Sequence, residues 1–174
     1  MRTLVLDPPP PEMDELIQRR KRLGLDGYDE VWEGVYHMAP MARSRHGNLQ
    51  HQLTLILAPY VEEAGLVGTG PFNLGHSDKD FRVPDLGYHR GMPDPEAVYL
   101  STAALVVEVV SPGDETYDKL PFYASHGVGE LIVVEPDRHA VLVLALAGDH
   151  YDQVEGSAVL GVEGATLEAA IRWP

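Results

Sequence analysis

Two acids stand where acids are rare. Glu108 interrupts the apolar run Ala103–Val110 (AALVVEVV), and Asp85 lies within Phe81–His89, again among apolar residues. Ionised carboxylates are seldom buried without a partner or a metal. Strand alternation puts Glu108 on one face with Val106 and Val110, and Val107 and Val109 on the other. If the two segments are neighbouring strands, both carboxylates converge at one end of a sheet. Two or three oxygens at a cleft suit Mg²⁺, which keeps several waters and a substrate phosphate as its other ligands. Lys119 follows Glu108 on the next predicted helix, where a lysine beside a metal site can orient a water or help lower its pKa. Tyr123, four residues on, shares that helix face. The same residues admit a plainer arrangement, with Glu108 paired to an arginine at a sheet edge and Asp85 at a turn or strand end.

Other chemistries lack their motifs. No GxGxxG follows a strand, and there is no Walker-type phosphate loop. No GxSxG elbow is present, so an acyl-transfer triad is weak. The chain has 8 histidines, but His46 and His51 fall on different helix faces and no HExxH occurs. A histidine-bound zinc hydrolase is therefore a third, weaker reading. The absence of cysteine excludes disulfides, thiolate metal sites and cysteine nucleophiles.

The elements that must position these residues read as follows. Met1–Leu4 lacks the apolar core of a secretion signal, which gives the expectation of a cytoplasmic protein. Leu6–Pro11 reads as an extended polyproline leader, and Glu12–Leu23 as a short helix stopped by Gly24. Tyr28–Met38 reads as a hairpin about Glu33-Gly34. His46–Ala64 is the strongest helix, with Leu49, Leu53, Ile56, Leu57 and Tyr60 at helical spacing and Pro59 as an anomaly. Leu66–Leu74 and Phe81–His89 read as a second hairpin, turning at Ser77–Asp80. Ala103–Val110 is apolar enough to be a strand buried on both faces. A helix over about Glu115–His126, with Pro121 near its start, precedes strands at Leu131–Glu135 and Ala140–Leu146; a hairpin and short helix end the chain. This order predicts a mixed α/β sheet with a helix on each side. The 174 residues suit one domain, read as 28–174, after a leader and short helix over 1–27.

The net charge of −14 argues against non-specific coating of nucleic acid. It does not exclude an enzyme acting on nucleic acid, because a metal site needs clustered acids and a groove needs only a local basic strip. Arg19–Arg22 form one basic block, with Arg43 and Arg45 nearby in sequence; the bland reading is a solvated helix face and a loop. The longest uncharged apolar stretch, the eight residues Ala140–Ala147, is far shorter than the ~20 residues a membrane span needs.

The segments WEGVYHM (32–38), RSRHGNL (43–49), RVPDLGYH (82–89), LVVEVVSPGDETYDKLPFYASHGV (105–128) and ELIVVEPD (130–137) resemble the Uma-two family of "putative restriction endonucleases" in the PD-(D/E)XK nuclease superfamily. The ordered set carries the resemblance: Val-Pro-Asp at 83–85, then Glu-Val-Val-Ser-Pro, then Lys-x-x-x-Tyr. It implies a restriction-endonuclease-like αβββαβ core, a mixed sheet flanked by helices with an added N-terminal hairpin and C-terminal strands. It implies that Asp85 and Glu108 hold Mg²⁺ or Mn²⁺. Where the superfamily places its lysine, two residues after the glutamate, this chain has Val110, and Lys119 matches the family's migrated lysine. Glu33 matches an acid of the N-terminal hairpin, and His46 a histidine at the start of the long helix. The resulting expectation is metal-assisted hydrolysis of DNA phosphodiesters by a homodimer. Asp85, Glu108, Lys119, Glu33, His46 and Tyr123 form its catalytic set, and Arg43, Arg45 and Arg82 its phosphate contacts. The alternative is an interaction module that keeps the fold with a vestigial site.

Overall fold

A computed structural model of the chain describes residues 4–6, 11–39, 42–113 and 115–174. Residues 7–10 of the expected polyproline leader lie outside the described residues, while Pro11 already opens the first helix.

The first half of the chain builds a sheet around the N-terminal hairpin. Strand β1 (Leu4–Leu6) and helix α1 (Pro11–Arg22) precede the hairpin strands β2 (Glu30–Trp32) and β3 (Val35–Met38). Helix α2 (Ser44–Glu63) follows, then β4 (Val67–Thr69), β5 (Asn73–Ser77), β6 (Asp80–Arg82), β7 (Leu86–His89) and β8 (Tyr99–Leu100). One six-stranded sheet has the order β1-β3-β2-β6-β5-β8.

The second half builds the core sheet. Strand β9 (Leu105–Val109) leads through a short 3-10 turn (Thr116–Lys119) into α3 (Leu120–Ser125) and on to β10 (Glu130–Glu135). Strands β11 (Ala140–Ala147) and β12 (His150–Val154), a small ladder of β13 (Gly156–Ser157) and β14 (Val162–Glu163), and α4 (Gly164–Ala170) complete the chain. The second six-stranded sheet has the order β12-β11-β10-β9-β7-β4, with β9 and β10 parallel.

Apolar periodicity explains why β9 sits inside. Leu105, Val107 and Val109 face the wholly buried Leu49, Leu53 and Leu57 of α2, along with Leu167 of α4. Val106 faces the other way, into a cluster with Phe122 and Tyr123 of α3 and Leu131 and Val133 of β10. Both faces of the strand are covered, as a near-continuous apolar run requires. Glu108 shares the α3 side with Val106.

Two expectations change. Phe81–His89 and Leu66–Leu74 are each divided between the two sheets, so the predicted hairpin is a long one folded across both. Its outer half pairs β5 with β6, and its inner half pairs β4 with β7. The breaks fall at Gly70-Pro71 and at Val83-Pro84-Asp85, where each proline removes a ladder donor. Pro59, by contrast, stays inside α2. The carbonyl it fails to bond belongs to Leu55, whose side chain is 62% exposed, so water can donate to that group.

Candidate active site

Asp85 immediately precedes β7, whose antiparallel register pairs Leu86 with Val107 of β9. Continued by one residue, that register sets Asp85 opposite Glu108. The two acids come from neighbouring strands and line one cavity of about 200 Å³, together with Glu30, His37, His46 and Lys119.

Each carboxylate is fixed by donors brought in from other elements. The Val109 N–H donates to Asp85 Oδ2 at 2.7 Å. Asp85 Oδ1 accepts from Gln50 Nε2 at 2.7 Å and meets His46 Nε2 at 2.9 Å. His46 and Gln50 are four residues apart, hence on one face of α2. Glu108 Oε1 accepts from the Tyr123 hydroxyl at 2.5 Å and from Lys119 Nζ at 3.2 Å. Lys119 Nζ also lies 2.8 Å from Glu30 Oε1. The lysine thus bridges an acid of the core sheet and an acid of the hairpin sheet.

Charge does not balance in this cluster. Asp85, Glu108 and Glu30 are all buried, and Lys119 is the cation that touches two of them. Burial pushes Glu108 up to about 7; the Lys119 ammonium opposes the rise, and Asp85 and Glu30 add to it. For Lys119 burial disfavours the charge, but Glu108 and Glu30 outweigh it and hold the ammonium above its ordinary range. Burial and the Glu108 charge hold the Tyr123 hydroxyl well above its ordinary value, so it remains a proton donor.

A count of lone pairs tests whether a divalent cation fits. Asp85 Oδ1 and Glu108 Oε1 each take two partners and are saturated. Asp85 Oδ2 takes only one, and Glu108 Oε2 has no hydrogen-bond partner among the described residues. Two open, hard oxygens in a pocket short of positive charge fit Mg²⁺ or Mn²⁺. Among the described residues, no three His, Asp or Glu side chains form a ready-made cage. Such a centre would keep waters in its shell, as Mg²⁺ does.

The other expected site residues divide. Arg43 and Arg45 line the cavity, and Arg45 Nη1 also pairs with Asp137 at 2.8 Å. Arg82 is a correction. It is only 5% exposed, its guanidinium lies between the Trp32 and Phe122 rings, and it bonds the Val31 carbonyl, so it is out of reach of a phosphate. Glu33 is also a correction. It occupies the exposed β2–β3 turn at φ 49°, with its N–H donating to Asp80 Oδ1. The hairpin acid in the cavity is Glu30, which the sequence reading missed. Strand alternation carries the signal: Glu30 and Glu33 have opposite parity, and Glu33-Gly34 is the turn. Gln50, His37 and Glu115 were also missed. In the basic block at the end of α1, Arg20 pairs with Asp29.

The turn position of Glu33 makes a prediction. Glu33→Gly relieves a left-handed φ and is expected to leave stability unchanged or raise it by up to ~1 kcal/mol in a urea melt. Mn²⁺ affinity should match that of the unsubstituted chain; a clear loss of affinity would return Glu33 to the site.

The sheet that brings Asp85 opposite Glu108 has a helix crossing between its parallel pair and a helix layer on each face, a mixed α+β fold shared with a solved "putative nuclease". The chain belongs to the Uma2 family, described as "Putative restriction endonuclease", which matches residues 26–171. Among solved structures it is similar to a "putative nuclease" of the DUF820 family from Anabaena variabilis ATCC 29413. The two share 16% identity over 82% of this chain and 90% of that one, with a TM-score of 0.66. Comparison with curated proteins finds no match. No helix among the described residues is long and apolar enough to cross a membrane.

Proposed function

We propose that the chain is a metal-dependent endonuclease that hydrolyses phosphodiester bonds in DNA, with Mg²⁺ or Mn²⁺ held by Asp85 and Glu108. The observation that carries this reading is the pair of open carboxylate oxygens beside a lysine in one cavity. When bound, a divalent cation supplies Lewis-acid polarisation of the phosphate and a more acidic water. The chain's own residues do the rest. His46 and Gln50 hold the Asp85 carboxylate in place, and Tyr123 holds that of Glu108. The Lys119 ammonium orients the attacking water and faces the charge that develops on phosphorus oxygens. Arg43 and Arg45 meet the neighbouring phosphates at the cavity wall. Cutting both strands calls for two such sites, hence a homodimer, and the proposed setting is the cytoplasm.

Calorimetry with Mn²⁺ tests the centre. Asp85→Asn keeps the size of the side chain and is expected to weaken Mn²⁺ binding at least ~tenfold, since it removes one of two charged ligands. Equal affinity in both proteins would favour the other reading, an interaction module with a vestigial site.

A further inference from the structure

The carboxylate of Glu30 takes its aim from Trp32. The indole Nε1–H donates to Glu30 Oε2 at 2.7 Å, while Oε1 accepts the Val83 N–H at 2.7 Å and lies 2.8 Å from Lys119 Nζ. Glu30 and Trp32 are two apart on β2 and therefore share a face. The indole ring is itself held. His37 stacks on it with centroids 4.2 Å apart and planes 15° from parallel. The Arg82 guanidinium carbon lies 4.4 Å from the same ring and 3.9 Å from that of Phe122.

Both neighbours of Trp32 are fastened to the segment that carries Lys119. His37 Nδ1 meets Glu115 Oε2 at 2.9 Å, four residues before the lysine. Arg82 packs on Phe122, three residues after it. The hairpin sheet and the 115–123 segment are thus tied together on either side of the Lys119–Glu30 contact. Packing alone does not call for an arginine here. Arg82 Nε is buried with no hydrogen-bond partner, a cost that a methionine between the two rings would avoid. What the guanidinium adds is attraction to two ring faces, which fixes their separation, with Nη1 anchoring it by donating to the Val31 carbonyl and Asp80 Oδ1.

We propose that Trp32, braced by Arg82, is a positioning residue whose indole N–H orients Glu30 so that Glu30 holds the Lys119 ammonium at Glu108. The proposal deepens the nuclease reading by naming what sets the geometry of its lysine. Neither residue touches substrate: Trp32 acts through Glu30, and Arg82 acts through Trp32.

The test uses the full chain. Trp32→Phe keeps an aromatic face and removes the indole donor; Arg82→Met keeps an unbranched stem and removes the charge together with the Nη1 bonds to Val31 and Asp80. In metal-free, ¹⁵N-labelled protein, the Lys119 ammonium should give its own slowly exchanging signal, because two carboxylates hold it away from water. In folded Trp32→Phe that exchange is expected to quicken at least ~tenfold. With DNA and Mn²⁺, kcat should fall about tenfold with KM unchanged, and Trp32→Phe should add nothing in a Glu30→Gln background. A folded Trp32→Phe with the native ammonium signal and native kcat overturns the proposal, as does a loss that simply adds to that of Glu30→Gln. Should Trp32→Phe not fold, Arg82→Met is read by the same criteria. If the unsubstituted chain cuts no DNA, the nuclease reading falls while the ammonium signal still decides the role of Trp32.

Discussion

Lys119→Met is expected to bind Mn²⁺ about as tightly as the unsubstituted chain and to cleave DNA at least ~100-fold more slowly. The size of the rate effect follows from what the ammonium faces. A preorganised donor aimed at developing charge in a desolvated site contributes roughly 10²–10³ in rate, and Lys119 is the cation fixed between Glu30 and Glu108. Methionine retains the aliphatic packing, so the loss is one of charge and not of volume. Stability should respond too. Stripping the partner from buried carboxylates costs about 3–5 kcal/mol when they stay ionised. Glu108 has a way out, because its pKa already stands at about 7 and it can take up a proton. The substitution should therefore destabilise the metal-free chain more at about pH 8 than at about pH 6, and Mn²⁺ should narrow that difference. Gel-based cleavage and urea melts at both pH values check this. Lys119→Met cutting at the native rate would remove Lys119 from the chemistry.

Local periodicity made the centre of this site legible. Glu108 stood out because period-two alternation placed an acid on a buried face, and Lys119 and Tyr123 because a four-residue step keeps them together on a helix. The first relation lies within β9, and the second is a single step from the 3-10 turn into α3. The choice between Glu30 and Glu33 was not legible in the same way. The resemblance marked an acid in the hairpin, but which one enters the cavity depends on where the chain turns and on β2 pairing with β6, a contact between Val31 and Phe81. Arg82 was misread for a stronger reason. An arginine beside Val-Pro-Asp looks like a phosphate contact, yet the rings that bury it come from Trp32 and Phe122, on separate elements far from it in sequence. Fold class followed from element order, but the division into two sheets did not. Pro71 and Pro84 break two ladders, and only long-range pairing decides whether the chain then continues in one sheet or crosses to another.

The excess of acid over base in the cavity gives the second large effect, on pH and metal together. Glu108 has a folded pKa of about 7 against an ordinary value of 4.5, so folding favours its protonated form. Its contribution is fully present below about pH 4.5 and is lost as pH rises through about 7, amounting to about 3 kcal/mol by about pH 8. Glu108→Gln removes that titration while still accepting hydrogen bonds from Tyr123 and Lys119. The difference in stability between the two metal-free proteins should therefore grow in favour of Glu108→Gln from about pH 5 to about pH 8, reaching ~1–3 kcal/mol. Comparing the two proteins cancels the carboxylates they share. Mn²⁺ reverses the preference, because a ligand oxygen must be deprotonated. Binding to the unsubstituted chain should release about one proton at about pH 6 and almost none at about pH 8, with affinity falling roughly tenfold between about pH 7 and pH 6. Calorimetry in buffers of different ionisation heat counts those protons. A pH-independent stability difference, or proton release unchanged in Glu108→Gln with Mn²⁺ still bound, would mean that this carboxylate neither carries the excess charge nor meets the ion.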